Sequence, residues 1–158
     1  MPEEPAKRLA MIALHGTMDL AYPPFILATA AAAMDMEVAI FFTFYGLELL
    51  KKGKIDKLKV APIANPAMPV PMPNIIGMLP GMTAMATMMM NKWMKKANVS
   101  KLSELLSLSK ELGVKLIACQ MTMDVMGVKK EDLIDGLEFG GAATFLEFAS
   151  HNAITLTF

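Results

Sequence analysis

Four short apolar runs, separated by stretches of helical character, constrain the fold of this chain more than any other feature. They are Arg8–Leu14 (RLAMIAL), Glu37–Phe44 (EVAIFFTF), Val114–Ala118 (VKLIA) and Ala153–Phe158 (AITLTF). Near-continuous apolar runs of this length suit strands buried on both faces of a parallel sheet. A parallel pair needs a crossover between its strands, and the intervening segments are long enough to supply helices. The pattern predicts an α/β chain: an open, mostly parallel sheet of about five strands with helices on both faces. Val60–Ile63 is read as a further short strand.

The connecting segments carry their own signals. After the first run, HGTMD gives a tight turn at Gly16 with Thr17 or Asp19 as helix N-cap. The helix over Leu20–Met34 is uncharged and Ala-rich, and Pro23 and Pro24 place its body near them. A short helix is expected over Leu47–Lys52. Gly81–Ala97 has Met82, Met85 and Met89 at helical spacing, which predicts a helix using its methionines for core or oligomer packing. Ser100 caps a helix over Lys101–Leu112 with Leu102, Leu105, Leu106 and Leu112 as its buried stripe, and Gly113 ends it. Lys130–Leu133 forms one turn, and Gly140 and Gly141 precede a helix over AATFLEFAS.

Residues 1–7 form a polar tail and 8–158 one domain, with a Pro/Met-rich loop at 61–81. There is no charged residue between Lys59 and Lys92. That length spans a bilayer, but six prolines from Pro62 to Pro80 interrupt it. A buried ordered loop fits better than a span. The composition is 54% hydrophobic and 19% charged with zero formal net charge. This excludes a bulk electrostatic case for nucleic acid and predicts a covered surface: a homo-oligomer first, a peripheral membrane contact second. Lys51, Lys52, Lys54, Lys57 and Lys59 read as a solvated turn. One cysteine allows no internal disulfide, and the acidic N-terminus is no signal peptide, so the expected location is cytoplasmic.

Chemistry centres on that cysteine. Cys119 ends the run VKLIAC, at the strand edge where open α/β sheets place ligands. A helix opening near Thr122 would aim free N–H groups at the sulfur, lowering its pKa. P-loop and dinucleotide fingerprints are missing, as is a CxxC pair. With His15 and His151 the only histidines, a metal site is not expected. The GTMD turn offers little to a flavin phosphate, so FMN is not expected and no cofactor is assigned.

The string LIACQMTMDVMGVKKEDLIDGLEFGGAATFLEFA resembles the cysteine segment of the DsrE/DsrF-like sulfur-relay proteins, especially their longer branch, sometimes called peroxiredoxin-like. LHGTMDLAYPPFILATAAAAMDMEVAIFFTFYGLELLKK and the uncharged Pro/Met loop are similar too, so the resemblance covers most of residues 8–158. It implies a flavodoxin-like three-layer α/β/α domain assembled into homo-oligomers. It also implies a sulfur carrier, a sulfurtransferase-like relay protein with persulfide or thiosulfonate sulfur held on Cys119. The implied partners are small sulfur-carrier proteins, rhodaneses and heterodisulfide-reductase-like complexes.

On this reading the adduct is held by backbone N–H groups near Gln120, Met121, Thr122 and Met123. Thr17 and Thr122 are candidate hydrogen-bond donors beside Gly16, His15 supplies a positive edge or a proton, and Met68–Met78 forms an apolar lid. Two rivals stand beside it. One is a thiol-dependent peroxidase cycling through sulfenic acid at Cys119. The other is a non-catalytic oligomeric or membrane-associated binding module in which Cys119 is an inert core residue.

Overall fold

The computed structural model describes residues 7–62, 75 and 79–158. Its order is β1 (Arg8–Ala13), α1 (Met18–Ala33), β2 (Glu37–Phe42), 3-10 turns over Phe44–Leu50 and Ile55–Lys57, α2 (Met82–Lys96), α3 (Leu102–Glu111) and β3 (Lys115–Cys119). There follow α4 (Gln120–Met126), a 3-10 turn at Lys130–Asp132, β4 (Glu138–Gly140), α5 (Ala142–Ala149) and β5 (Ala153–Thr157). The five strands form one sheet in the order β4-β3-β2-β1-β5, and every pairing is parallel. The chain steps outward from β1 to β4 and then returns to the far side of β1, so the order reverses between β1 and β5.

Strand alternation divides the interior in two. Leu9, Met11 and Ala13 of β1, with Val38, Ile40 and Phe42 of β2 and Leu116 and Ala118 of β3, face α1 and α3. The opposite face is smaller: Ala10, Ala39, Phe41, Ile117 and Cys119 meet Phe145 and Phe148 of α5. Phe41 and Phe145 stack with ring centroids 5.5 Å apart. Burial of Phe145 and Phe148 stabilises α5 on the sheet by about 2–3 kcal/mol for each side chain. Helices on both faces of a parallel sheet make the expected three-layer α/β/α architecture.

Several local expectations change. Val60 and Ala61 are not strand, and Ile63 lies outside the described residues. The fifth strand is β4, whose register against β3 pairs Gly140 with Cys119. Helix α1 starts at Met18, one turn before Pro23 and Pro24. Its first turn is held by Ala21 N–H to Thr17 O at 3.0 Å and by Met18 N–H to Lys59 O at 2.8 Å. The segment after β2 is a 3-10 turn over Phe44–Leu50 rather than a helix over Leu47–Lys52. Helix α3 begins after Lys101, whose N–H donates to Glu104 Oε2 at 3.0 Å in place of a Ser100 cap.

Leu102 and Leu106 are buried as expected, but Leu112 is the C-cap just past the helix, 42% exposed. Helix α2 buries no residue completely. Met90 and Met94 rest against the core while Met85, Met88 and Trp93 face outward. No helix among the described residues is long and apolar enough to cross a membrane. The polar tail 1–7 apart from Lys7, most of the Pro/Met loop and, apart from Ile75, the proposed Met68–Met78 lid lie outside the described residues.

Candidate functional site

Parallel strands end on one side, so the C-terminal edge of the sheet gathers the residues that follow Ala13, Phe42, Cys119 and Gly140. Cys119 is the last residue of β3 and the N-cap of α4, which begins two residues before the expected start at Thr122. Backbone geometry explains the direct junction. Cys119 is extended (φ −70°, ψ 112°), and Gln120 enters the helix with no intervening loop. The free N–H groups of that first turn therefore lie beside the thiol.

Burial of Cys119, which is 3% exposed, pushes its thiol pKa up. Neighbouring donors outweigh that effect, the Thr122 hydroxyl and N–H first, then the Thr43 hydroxyl and the Met121 N–H, although Cys119 makes no side-chain cap hydrogen bond to the helix it opens. The net pKa is lowered from the ordinary thiol value, because these donors favour the charged sulfur. All four donors are neutral. Neutral dipoles thus surround the thiol, and among the described residues no ion pair joins them, an environment that favours the thiolate.

Thr43 was not visible from the sequence. It lies just past the end of β2, is 7% exposed, and its Oγ1 is 2.9 Å from Thr122 Oγ1. Thr122 is 1% exposed, and its Oγ1 also accepts the Phe44 N–H at 3.1 Å. That donor is aimed by an unusual backbone: Phe44 has φ +48°, a left-handed conformation uncommon for an aromatic residue. Among the described residues the other non-glycine residues with positive φ are Asp35, Asn98 and Asn152, types that tolerate it. The one sequence signal that could have found Thr43 is its place at the end of an apolar strand-forming run, where a parallel sheet gathers its site residues.

The segment carrying Thr43 is held against the end of β1. Thr43 N–H donates to Ala13 O at 3.1 Å, and Gly46 N–H to Thr43 O at 3.0 Å. Gly46 packs so closely that a Cβ there would stand 2.0 Å from the same Ala13 O. Gly16 is comparably confined, with a Cβ meeting Tyr45 O at 2.6 Å. Farther along, Glu48 is ion-paired to Lys51 and Lys54. Burial pushes the Glu48 carboxyl pKa up, but the Lys51 and Lys54 contacts outweigh it and hold the value low.

The other expected site residues are spread around this edge. His15 is exposed, and no hydrogen bond joins His15, Gly16 or Thr17 to Cys119 among the described residues. β2 lies between β1 and β3, placing those strand ends about 10 Å apart. Thr17 is the N-cap of α1 by backbone position, yet its hydroxyl makes no cap bond. Its Oγ1 is buried without a partner among the described residues. Gln120 is exposed and donates to Asp124 Oδ1 at 3.2 Å. Met121 is half exposed beside the thiol, whereas Met123 turns into the core on the α1 side. Among the described residues no three His, Cys, Asp or Glu side chains converge as metal ligands.

Comparison with known proteins adds a family to this geometry. The profile described as the DsrE/DsrF/DrsH-like family matches residues 5–157. A sulfur carrier protein, DsrE2, from Allochromatium vinosum is 51% identical over 156 residues, covering 95% of this chain and 97% of that protein. The uncharacterized protein YrkE of Bacillus subtilis is 36% identical, covering 97% of this chain and 98% of its own length. Among solved structures, the ychN protein from E. coli superposes with a TM-score of 0.53 at 14% identity, covering 97% of this chain and 99% of that one. A protein of unknown function from Methanobacterium thermoautotrophicum, MTH1491, gives the same TM-score and the same coverage at 11% identity. At those identities the two structures speak to the fold alone.

Proposed function

This chain belongs to the DsrE/DsrF/DrsH-like family, and on that premise we propose that it is a sulfur carrier that holds sulfur covalently on Cys119 and passes it to a partner thiol. The observation that carries this reading is the place of Cys119, last residue of β3 and N-cap of α4 at the C-terminal edge of the sheet, where neighbouring donors also lower its thiol pKa. In loading, the Cys119 thiolate attacks the outer sulfur of a donor persulfide. A new S–S bond forms, the donor's S–S bond breaks, and the donor leaves as a thiolate. In delivery a partner thiolate attacks the outer sulfur and Cys119 leaves. With tetrathionate as donor the Cys119 thiolate attacks a central sulfur, forming Cys119–S–S–SO₃⁻ as thiosulfate leaves, and the negative oxygens of that adduct suit backbone N–H groups at the start of α4.

The proposed setting is a cytoplasmic homo-oligomer. Its proposed partners are a small sulfur-carrier protein, a rhodanese or a heterodisulfide-reductase-like complex. A peripheral membrane contact fits the exposed Met85, Met88 and Trp93 of α2, followed by Lys95 and Lys96.

Intact-protein mass spectrometry tests the carrier step. After incubation with thiosulfate, tetrathionate or polysulfide, the native protein gains a reductant-sensitive mass of sulfur or thiosulfate, and Cys119→Ser gains none. One observation favours a second reading, the inert-core module: the thiol is 3% exposed. Absence of any adduct, with alkylation only after denaturation, would establish that reading in place of the first.

A further inference from the structure

We infer that β5, the outer strand beside β1, pairs antiparallel with β5 of a second copy of this chain, joining two sheets across a two-fold axis at Thr155. The inference rests on the homo-oligomer part of the reading above and gives that oligomer its interface. It begins from the difference between the two outer strands. β4 is three residues long and carries the exposed Glu138, and short length and charge both keep an edge from pairing. β5 has neither guard. Ala153–Thr157 and the following Phe158 hold no charged residue and no proline. The register against β1 runs unbroken from Arg8–Ala153 to Ile12–Thr157, so no bulge turns the edge away. Ile154, Thr155 and Thr157 are exposed, Ile154 to 59%. A regular, uncharged edge of this kind is a template for another strand.

The ladder decides which backbone groups that strand would meet. Arg8 N–H donates to Asn152 O at 3.4 Å, Phe158 N–H to Ile12 O at 2.8 Å and Leu14 N–H to Phe158 O at 2.7 Å. The even-numbered residues of β5 therefore bond to β1, and the N–H and C=O groups of Ala153, Thr155 and Thr157 point outward. Among the described residues nothing pairs with them. With Thr155 opposite its own copy, Ala153 lies opposite the partner's Thr157, and each of these pairs exchanges two hydrogen bonds. A two-fold placed elsewhere on the strand leaves one of the three outward residues unpaired. The same register sets Ile154 beside the partner's Leu156 on the α1 face, covering the apolar side chain left open. On the α5 face Thr155 meets its own copy, a favourable cross-strand pair. Reversed, the strand thus matches itself, and with no charge in it no like charges meet on the axis. A second copy is the occupant this pattern fits. The two-fold also reverses strand direction, so the C-terminal edges of the two sheets face opposite ways. Each Cys119 then meets its own partner unhindered by the other.

Light scattering after size-exclusion chromatography reads the assembly of native protein and of Thr155→Lys, which sets two like charges against each other on the axis. The native mass should be an even multiple of 17.2 kDa, and Thr155→Lys should halve it while urea titration shows it folded. A second pair of variants, in a Cys119→Ser background, locates the axis. Residues opposed in a hydrogen-bonded pair have Cα atoms about 5.5 Å apart, within disulfide reach, so Thr155→Cys should oxidise to a covalent dimer. Copies of Thr157→Cys would stand about 14 Å apart along the strands and should not. If Thr155→Lys fails to fold, the cysteine pair decides alone. An odd-numbered oligomer, a mass unchanged in folded Thr155→Lys, or a Thr155→Cys protein that crosslinks no faster than Thr157→Cys would overturn the inference and leave the homo-oligomer standing. A native mass of one chain would remove the homo-oligomer itself, and the inference with it, while sulfur uptake at Cys119 is read separately.

Discussion

Replacing Gly46 with alanine tests whether the segment holding Thr43 is fixed as tightly as its geometry implies. The new Cβ would stand 2.0 Å from Ala13 O and 2.8 Å from Ala13 C, whereas real Cβ contacts essentially never fall below 3.0 Å. The two segments must therefore separate by at least 1.0 Å (3.0 minus 2.0). Both obstructing atoms are backbone, so no rotamer change relieves the clash. The oxygen that must retreat is also the acceptor for Thr43 N–H at 3.1 Å. Overpacking of this kind costs about 1–3 kcal/mol, and loss of that bond adds about 0.5–1.5 kcal/mol. The expected destabilisation is about 2–4 kcal/mol. In urea, with a slope of about 2 kcal/mol/M, the midpoint falls by about 1–2 M. A Gly46→Ala midpoint within about 0.3 M of native, at unchanged slope, would refute the argument.

Other outcomes follow from the same site. Thr122→Val orphans the Phe44 N–H and removes the hydroxyl that does most to lower the Cys119 pKa, so stability should fall by about 1–3 kcal/mol in urea titration and neutral-pH alkylation should slow. A lowered thiol pKa in the folded state adds stability that is fully present above the unfolded pKa of about 8.5. That stability is lost as pH falls through the folded value. The native protein should therefore gain stability relative to Cys119→Ala between neutral pH and about pH 9, measured by denaturation at each pH. Phe145→Ala removes the ring stacked on Phe41 and should cost about 3–5 kcal/mol, while raising the rate at which Cys119 is labelled. Glu48 has a lowered carboxyl pKa, so its contribution is present above the unfolded carboxylate pKa and lost as pH falls through the folded one. Glu48→Gln should cost under about 1 kcal/mol at neutral pH and show a weaker acid dependence.

What could be read from the sequence follows the range of the forces involved. β1, β2, β3 and β5 announce themselves because each is a local apolar run, and four parallel strands with helices between them leave few other architectures. β4 does not, because EFG is three residues long and has no period; its identity comes from pairing with Ile117–Cys119. The α2 pattern was legible as a helix but not as an exposed one. Its spacing fixes which residues share a face, and tertiary packing decides whether that face is covered.

The site divides in the same way. Cys119 was legible because it ends a strand and opens a helix, both local signals. Thr43 was not, because its role depends on a hydroxyl across β2 and β3 that sequence separation hides. The start of α1 was displaced for a related reason. Lys59 O and Thr17 O hold the first turn ahead of the prolines, and one of those groups comes from a distant loop.

The left-handed Phe44 sets stability and activity against each other within one residue. A non-glycine residue in that region carries about 1–2 kcal/mol of backbone strain, so Phe44→Gly would relieve part of it at little packing loss, since the ring is half exposed. Selection for heat resistance alone would reach that substitution early. Selection for the proposed sulfur transfer would resist it, because glycine's wider freedom loosens the N–H that fixes the Thr122 hydroxyl. Variants of this chain evolved under the two pressures should part company at position 44 first.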